Sequence, residues 1–341
     1  MDVLDLPALR RRRSRRQAIV AVVLIAIVLG ASVVAISLGA SGITPARVFA
    51  TLAGFGDRGD EFVVFRLRLP RIVTAIVAGF AFGLAGSLFQ SVLSNPLASP
   101  DILGVSAGAS FAAVFVLLVA GGSGFAVSAG AFVGAFVIAA LMWVLAWRGG
   151  LVGYRFVLIG VGLGYVVTAA LGWMITRADV REVSQALVWM VGGVGGASWS
   201  DIGIAAGIVL VSSVAIIALG RRLPVLALGD DAARGLGVRG AVSRGALLLA
   251  AVALVAAATA LAGPIAFVAL ISAPIARALL RDGGAALLPS ALIGSVLVVV
   301  ADLVGQHVLA DSVPVGIVTG VIGAPYLLWL IATSNRKGAD G

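Results

Sequence analysis

The sequence contains no cysteine, one histidine and one lysine, and each scarcity excludes a kind of site. Without cysteine there is no disulfide framework and no thiolate metal site. His307 has few carboxylates near it in the sequence, so we expect no metal site there. A P-loop needs a lysine after its glycines to reach the phosphates of ATP, and Lys337 lies in the C-terminal tail. The chain therefore lacks a Walker-type ATPase site, and we expect no catalytic residue.

Charged residues are also scarce. They make up 11% of the 341 residues, against 61% hydrophobic residues and a mean hydropathy of +1.15. A water-soluble globule of this size needs more polar surface than that. Apolar runs of about 20 residues, long enough to cross a hydrocarbon core of about 30 Å, recur from Ala18 onward. The composition predicts an all-α, polytopic membrane protein.

We expect about ten transmembrane helices. A cytoplasmic basic tail, 1–17, precedes a single transmembrane domain, 18–332, and a second cytoplasmic tail, 333–341, follows it. The first apolar run is too long for a signal-peptide core and lacks a convincing cleavage site, so it is interpreted as a retained span. The predicted spans are Ala18–Gly39, Ile72–Leu93, Gly104–Ala120, Phe125–Trp147, Phe156–Ile175, Ile202–Leu219, Gly245–Leu261, Ile265–Leu280, Leu287–Leu309 and Val315–Ala332.

The net charge of +9 does not indicate nucleic-acid binding, because of where the arginines lie. A cluster directly precedes the first span, where arginine marks the cytoplasmic side: Arg10, Arg11, Arg12, Arg13, Arg15 and Arg16. An even number of spans then places both termini in the cytoplasm.

One segment predicted to lie outside is basic as well, with Arg47, Arg58, Arg66, Arg68 and Arg71. These arginines are either interfacial anchors, balanced by Asp57, Asp60 and Glu61, or a rigid basic patch that docks an acidic soluble partner.

Two charged residues lie within predicted spans, Asp302 and Arg277. Such residues are functional candidates by default. For Asp302 we favour a structural role, with backbone or hydroxyl groups as partners, over a proton relay, because no second deep acid accompanies it.

The longest polar connection between spans is 221–244. Within it, Leu226–Gly237 is typical of a short helix that begins near Asp230 and Asp231 and ends at Gly235 and Gly237. The helix is either a solvated connector or a protruding element that packs into a groove on a partner.

A weak internal repeat is visible. Ala85-Gly86 is followed by Asn95-Pro96-Leu97-Ala98, much as Ala262-Gly263 is followed by Ala273-Pro274-Ile275-Ala276. If the second and seventh spans begin the two copies, the copies run in opposite directions, as an inverted repeat does.

Motifs along nearly the whole chain resemble one transporter family. Arg68-Leu69-Pro70-Arg71 precedes Gly79, Gly86, Gln90 and the stretch Asn95–Ala109. Further matches are Leu158–Gly164, Trp189–Gly193, the Leu226–Gly237 loop, Ala262–Val268, Pro314–Thr319 and Gly323-Ala324-Pro325. In this order they resemble the iron-siderophore and vitamin B12 permeases of ABC importers.

The resemblance implies a type II importer permease fold in the bacterial cytoplasmic membrane. It implies a second permease subunit, two cytoplasmic ATPase subunits that bind ATP and Mg²⁺, and an extracytoplasmic substrate-binding protein. Arg66, Arg68 and Arg71 would dock the binding protein. The ATPase would be contacted by Leu228, Gly229, Asp230, Asp231, Ala232, Arg234, Gly235 and Gly237.

The resemblance also predicts residues that line the pathway: Gln90, Asn95, Ser106, Gly160, Gly164 and Thr168. The glycines of the fifth span either let helices pack closely or leave room for a bulky substrate. Two positions depart from the family pattern. Gln306 and His307 stand where a third outward arginine is common, and Ala273-Pro274 replaces a Pro-His pair.

We expect a ferric siderophore as substrate, with haem and cobalamin as alternatives. Two other classes stay open, an ion-coupled secondary transporter that depends on Asp302 and a membrane scaffold without transport activity.

Overall fold

The computed structural model describes residues 6–38, 42–147, 153–281, 284–309 and 312–339, and every regular element within these ranges is helical. A π-helical segment, Phe62–Arg68, joins α3 to α4. The helices are α1 Leu6–Ser37, α2 Pro45–Leu52, α3 Arg58–Glu61, α4 Leu69–Val92, α5 Val105–Leu118, α6 Phe125–Ala146, α7 Gly153–Ile175, α8 Val180–Val191, α9 Trp199–Gly220, α10 Leu223–Leu226, α11 Asp230–Gly235, α12 Gly240–Ala262, α13 Val268–Leu280, α14 Leu287–His307 and α15 Val315–Ala339.

Helices occupy all ten predicted spans, which confirms the all-α membrane fold. Among the described residues, seven helices are long and apolar enough to cross a membrane, and α5, α13 and α15 provide shorter apolar stretches. The sequence analysis did not predict α2, α8 or the helical continuation of α4 back to Arg58. The basic segment Arg10–Arg16 is helical too, since α1 begins at Leu6.

Two helices form the centre of the bundle, α4 and α12. In the most apolar stretch of each helix, 78% of the residues are buried in α4 and 72% in α12. The same fraction is 17% in α7 and 22% in α1. Their apolar residues do not form a single stripe, which is typical of helices that are surrounded by protein. Small side chains allow close contact, because Gly79 and Gly83 of α4 face the backbone of α14 at Gly294 and Ser290.

Two four-helix units, α4–α7 and α12–α15, share one pattern. In each unit the second helix is short, with 14 residues in α5 and 13 in α13. The residue before each short helix has a left-handed backbone conformation, with φ 79° at Gly104 and φ 66° at Phe267. Each first helix packs on the second and third helices of the other unit. The beginning of α4 meets the end of α12 around one cavity, so the two units are antiparallel.

This arrangement supports an inverted repeat, but the register predicted from sequence is wrong. Gly86 lies inside α4, whereas Gly263 follows the end of α12. Asn95–Ala98 precede α5, whereas Ala273–Ala276 lie within α13. The two short motifs therefore matched by composition, because apolar glycine-rich helices offer many such coincidences.

Candidate functional site

The three arginines predicted to dock a partner lie on one helical segment, not in a loop, since the helix runs without interruption from Arg58 to Val92. Their environments differ. Arg66 is exposed. The Arg68 guanidinium donates to the backbone carbonyl of Ile36 in α1. Only part of the predicted docking patch is therefore offered to a partner.

Arg71 forms a bidentate ion pair with Asp302 of α14. Its Nε donates to Oδ2 at 3.0 Å, and its Nη2 donates to Oδ1 at 2.8 Å. Gln306 also donates to Oδ2, at 2.6 Å. The Asp302 side chain is 6% exposed and that of Arg71 is 32% exposed. Asp302 thus has a structural partner, as favoured from the sequence, but the partners are Arg71 and Gln306, not the backbone or hydroxyl groups that we expected.

The remaining outer-segment charges stabilise the turn before α3. Arg47 forms ion pairs with Asp57 at 2.9 Å and with Asp60 at 2.7 Å. Asp57 caps α3 by accepting the backbone N–H of Asp60 at 2.7 Å, and this hydrogen bond lowers the pKa of Asp57. The sequence predicted that acidic residues balance the arginines of this segment, and Arg47 has such acidic partners.

The opposite end of the bundle carries the predicted short helix, α11. It begins after Gly229 and ends at Gly235, and Gly237 follows at φ 75°, as the sequence indicated. Two exposed leucines flank it, Leu228 at 67% and Leu236 at 64% exposure.

The α11 segment is held firmly at its base. Ala233 is buried against the bundle. Asp231 and Arg234 are exposed, and Oδ1 of Asp231 lies 3.7 Å from Nη1 of Arg234. Arg222 donates to Ser243 at 3.0 Å, and Arg244 donates to the Leu226 carbonyl at 3.2 Å. Apolar surface presented to water on a braced connector is typical of a protein–protein contact.

The six residues predicted to line a pathway do not share one surface. Gln90 is buried, where it donates to the Leu270 carbonyl at 2.9 Å and accepts a hydrogen bond from Arg277. It therefore links α4 to α13. Asn95 lies in the turn after α4, where its side-chain oxygen accepts a hydrogen bond from the Leu97 backbone N–H at 2.9 Å.

Some glycines of α7 let helices pack closely, and another leaves open space, which are the two roles considered from the sequence. Gly160 and Gly164 lie against Leu103 and Gly104, so they allow α7 to approach the beginning of α5. Gly162 faces open space in the single chain. Thr168 lies on the exposed side of α7 and donates to the Gly164 carbonyl at 2.8 Å.

Ser106 leads to a junction that the sequence analysis did not single out. Its hydroxyl donates to Oδ1 of Asp101 at 2.6 Å, while Oδ2 of this carboxylate is buried and has no hydrogen-bond partner among the described residues. Asp101 therefore fixes the beginning of α5 through Ser106. Both residues line a cavity of about 330 Å³ beside α8 and α15. The sequence analysis contained Asp101 only as part of the Asn95–Ala109 motif, because other residues around this cavity, such as Pro264 and Gly316, lie far along the chain.

Comparisons with known proteins agree over nearly the whole chain. The ferric enterobactin transport system permease protein FepG of Escherichia coli K12 is 36% identical over 325 residues, which cover 95% of this chain and 98% of that protein. The Fe(3+)-citrate import system permease protein YfmE of Bacillus subtilis 168 is 36% identical, with coverage of 96% and 98%. The vitamin B12 import system permease protein BtuC of Citrobacter koseri is 35% identical, with coverage of 83% and 86%.

A solved structure has the same fold. It is a metal-chelate type ABC transporter in an inward-facing conformation, with a TM-score of 0.82 and 25% sequence identity. The matched region covers 92% of this chain and 98% of the chain in that structure. The model of the FecCD transport family matches residues 20–333, and the chain belongs to this family.

Proposed function

We propose that this chain is the permease subunit of an ABC importer that moves a ferric siderophore across the bacterial cytoplasmic membrane. The observation that carries the proposal is the FecCD family match over residues 20–333, together with similarity to ferric enterobactin and ferric citrate permeases along the whole chain. Haem and cobalamin are the alternative substrates, and similarity to a vitamin B12 permease supports the second.

The proposed assembly contains two permease subunits, two cytoplasmic ATPase subunits and an extracytoplasmic binding protein. Both termini lie in the cytoplasm, so α11 faces the ATPase and Arg66 faces the binding protein. The exposed Leu228 and Leu236 support the first contact, because they offer apolar area on a rigid connector. ATP and Mg²⁺ are bound by the ATPase subunits.

The mechanism is alternating access. ATP binding closes the two ATPase subunits, and α11 transmits the movement to α12 through the braced segment 221–244. The two antiparallel units then shift against each other around α4 and α12. The shift needs differential binding of ATP to the two states, since a ligand displaces an equilibrium only by its difference in affinity. No covalent step occurs in this chain.

The test is uptake of a labelled ferric siderophore into vesicles that contain this chain, with and without the ATPase and the binding protein. The proposal expects uptake that needs ATP and all components. Labelled haem and cobalamin in parallel assays decide the substrate. Uptake by this chain alone, under an ion gradient and without ATP, would instead establish a secondary transporter.

A further inference from the structure

A cavity with charged residues in its wall and an apolar groove adjoin each other at the end of the bundle where α4 begins and α12 ends. The cavity, of about 640 Å³, is here called the crater, and its polar wall includes Arg71, Gln185, Asp201 and Gln306. The groove, of about 220 Å³, lies between α6 and α9 over Ala257 and Ala260 of α12. Ser128, Asp201, Ala260 and Leu261 line both spaces, so the two adjoin each other.

The groove is built from helices that can span a membrane. Its walls are α6, α9 and α12, all of which are long and apolar enough to span the membrane. Most of its lining is apolar, with Phe132 and Val133 on one side and Ile204 and Ile208 on the other. An acyl chain can fill such a groove, and filling it removes apolar surface that the helices leave uncovered.

The crater offers one positive and one negative group. Asp302 occupies Nε and Nη2 of Arg71, while the remaining nitrogen, Nη1, lies beside Gly195 in the connection from α8 to α9. Oδ2 of Asp201 accepts hydrogen bonds from the Ser198 hydroxyl at 2.6 Å and from the Ser198 backbone N–H at 3.0 Å, and this capping box holds the carboxylate at the beginning of α9. Because Asp302 neutralises much of the charge of Arg71, a purely anionic headgroup gains little here.

We propose that the groove and the crater together bind one phospholipid with an amine headgroup, of the phosphatidylethanolamine type. The acyl chain lies in the groove between α6 and α9. The phosphate accepts from Nη1 of Arg71, and the ammonium donates to Asp201. A zwitterionic headgroup matches the positive and the negative group of the crater, and an acyl chain matches the apolar groove beside it.

Native mass spectrometry of the purified, full-length chain tests the acyl-chain site. We expect one phosphatidylethanolamine to remain bound per chain. Ala260→Phe places a ring where groove and crater meet, and should weaken this binding about tenfold, the equivalent of about two methylene groups losing their burial. Val144→Phe is the matched control on α6, where Val144 is 70% exposed, and should leave binding unchanged.

The headgroup is tested with Asp201→Asn, which keeps an oxygen for the Ser198 hydroxyl and removes the charge. The original chain should prefer added phosphatidylethanolamine to added phosphatidylglycerol about tenfold, as expected for one charge-assisted hydrogen bond, and the variant should lose that preference. Thermal unfolding without added lipid checks that each variant is folded.

Equal binding of the two lipids by the original chain would overturn the headgroup assignment. Unchanged lipid retention in folded Ala260→Phe would overturn the acyl-chain site. A peptide or a ferric chelate bound in place of lipid would overturn both.

Discussion

At the scale of single residues, the ion pair of Arg71 and Asp302 changes how both residues are interpreted. The two lie 231 positions apart, and the sequence analysis treated Arg71 as a docking residue and Asp302 as an isolated acid. Each was correctly recognised as unusual, because charge is rare in this chain. Their pairing could not be predicted, since it depends on the packing of α14 against α4.

Removing one member of this pair should destabilise the protein strongly. Asp302→Asn leaves Arg71 without its counter-charge, and Arg71→Gln leaves a carboxylate that is 6% exposed without its cation. We expect each single variant to cost up to about 3–5 kcal/mol, because a lone buried charge is poorly solvated. The double variant should cost less than the sum, since neither charge is then left alone. Thermal unfolding in detergent measures all three.

The control for this double-mutant cycle is Arg66→Gln. Arg66 is exposed on the same helical segment, so its loss should change stability by less than about 0.5 kcal/mol. Additive effects of the Arg71 and Asp302 substitutions would contradict the proposed coupling.

At the scale of helices, the ten spans were predictable because each is an apolar run whose length the membrane determines. Helix α8 was not predicted, since Arg181 and Glu182 interrupt its apolar pattern and it is too short to span. The π-helical continuation before α4 was missed for a similar reason. Polar segments carry weaker signals, and their structure follows from contacts such as the Trp199 side chain donating to the Phe65 carbonyl at 3.1 Å.

The candidate site was predictable to a lesser degree. The α11 helix was found from its glycines and acids, which are local signals. The predicted pathway residues were not resolved into roles, because whether Gly160 packs or leaves space depends on a neighbour, Leu103, in another helix. Gln90 was assigned to a pathway although the structure buries it against α13.

Packing of α4 against α14 should be sensitive to one methyl group. Gly294→Ala would place a Cβ against the Gly79 carbonyl, where backbone has to move, so we expect a loss of about 1–3 kcal/mol. Gly207→Ala on α9 is the matched control, since no atom lies within 4 Å of its added Cβ. That substitution should be neutral or stabilise by up to about 1 kcal/mol. The unfolding temperature should therefore fall for Gly294→Ala and not for Gly207→Ala, and equal shifts would contradict the close approach.

Contact between α11 and an ATPase should depend on its flanking leucines. Leu236→Asp replaces a side chain that is 64% exposed, so the permease itself should fold normally. We expect ATP-dependent uptake to fall about tenfold or more, because a charge would replace an apolar side chain in the proposed contact. ATP hydrolysis by the ATPase should continue, measured as phosphate release in the same vesicles.

The control for that experiment is Arg281→Gln, an exposed position at the end of α13. It should leave both uptake and hydrolysis unchanged. Normal uptake by Leu236→Asp would remove α11 from the coupling mechanism.

At the scale of the whole molecule, burial is unevenly distributed. The α4 and α12 helices are enclosed by protein, while the apolar stretch of α7 is 17% buried. On α7, Tyr165 is 74% exposed and Trp173 is 62% exposed. A helix that is placed against α5 by its glycines and still leaves such residues uncovered suits contact with a second subunit. This agrees with the proposed dimer of permease subunits.

The proposed dimer can be tested at Gly162, which faces open space on the exposed side of α7. Gly162→Trp would insert a large side chain between the subunits, so the purified permease should shift from dimer to monomer in multi-angle light scattering. Gly203→Trp on α9 is the matched control, because Gly203 is also exposed and has no atom within 4 Å of an added Cβ. It should remain dimeric. A dimer that survives Gly162→Trp but dissociates with Gly203→Trp would move the interface from α7 to α9.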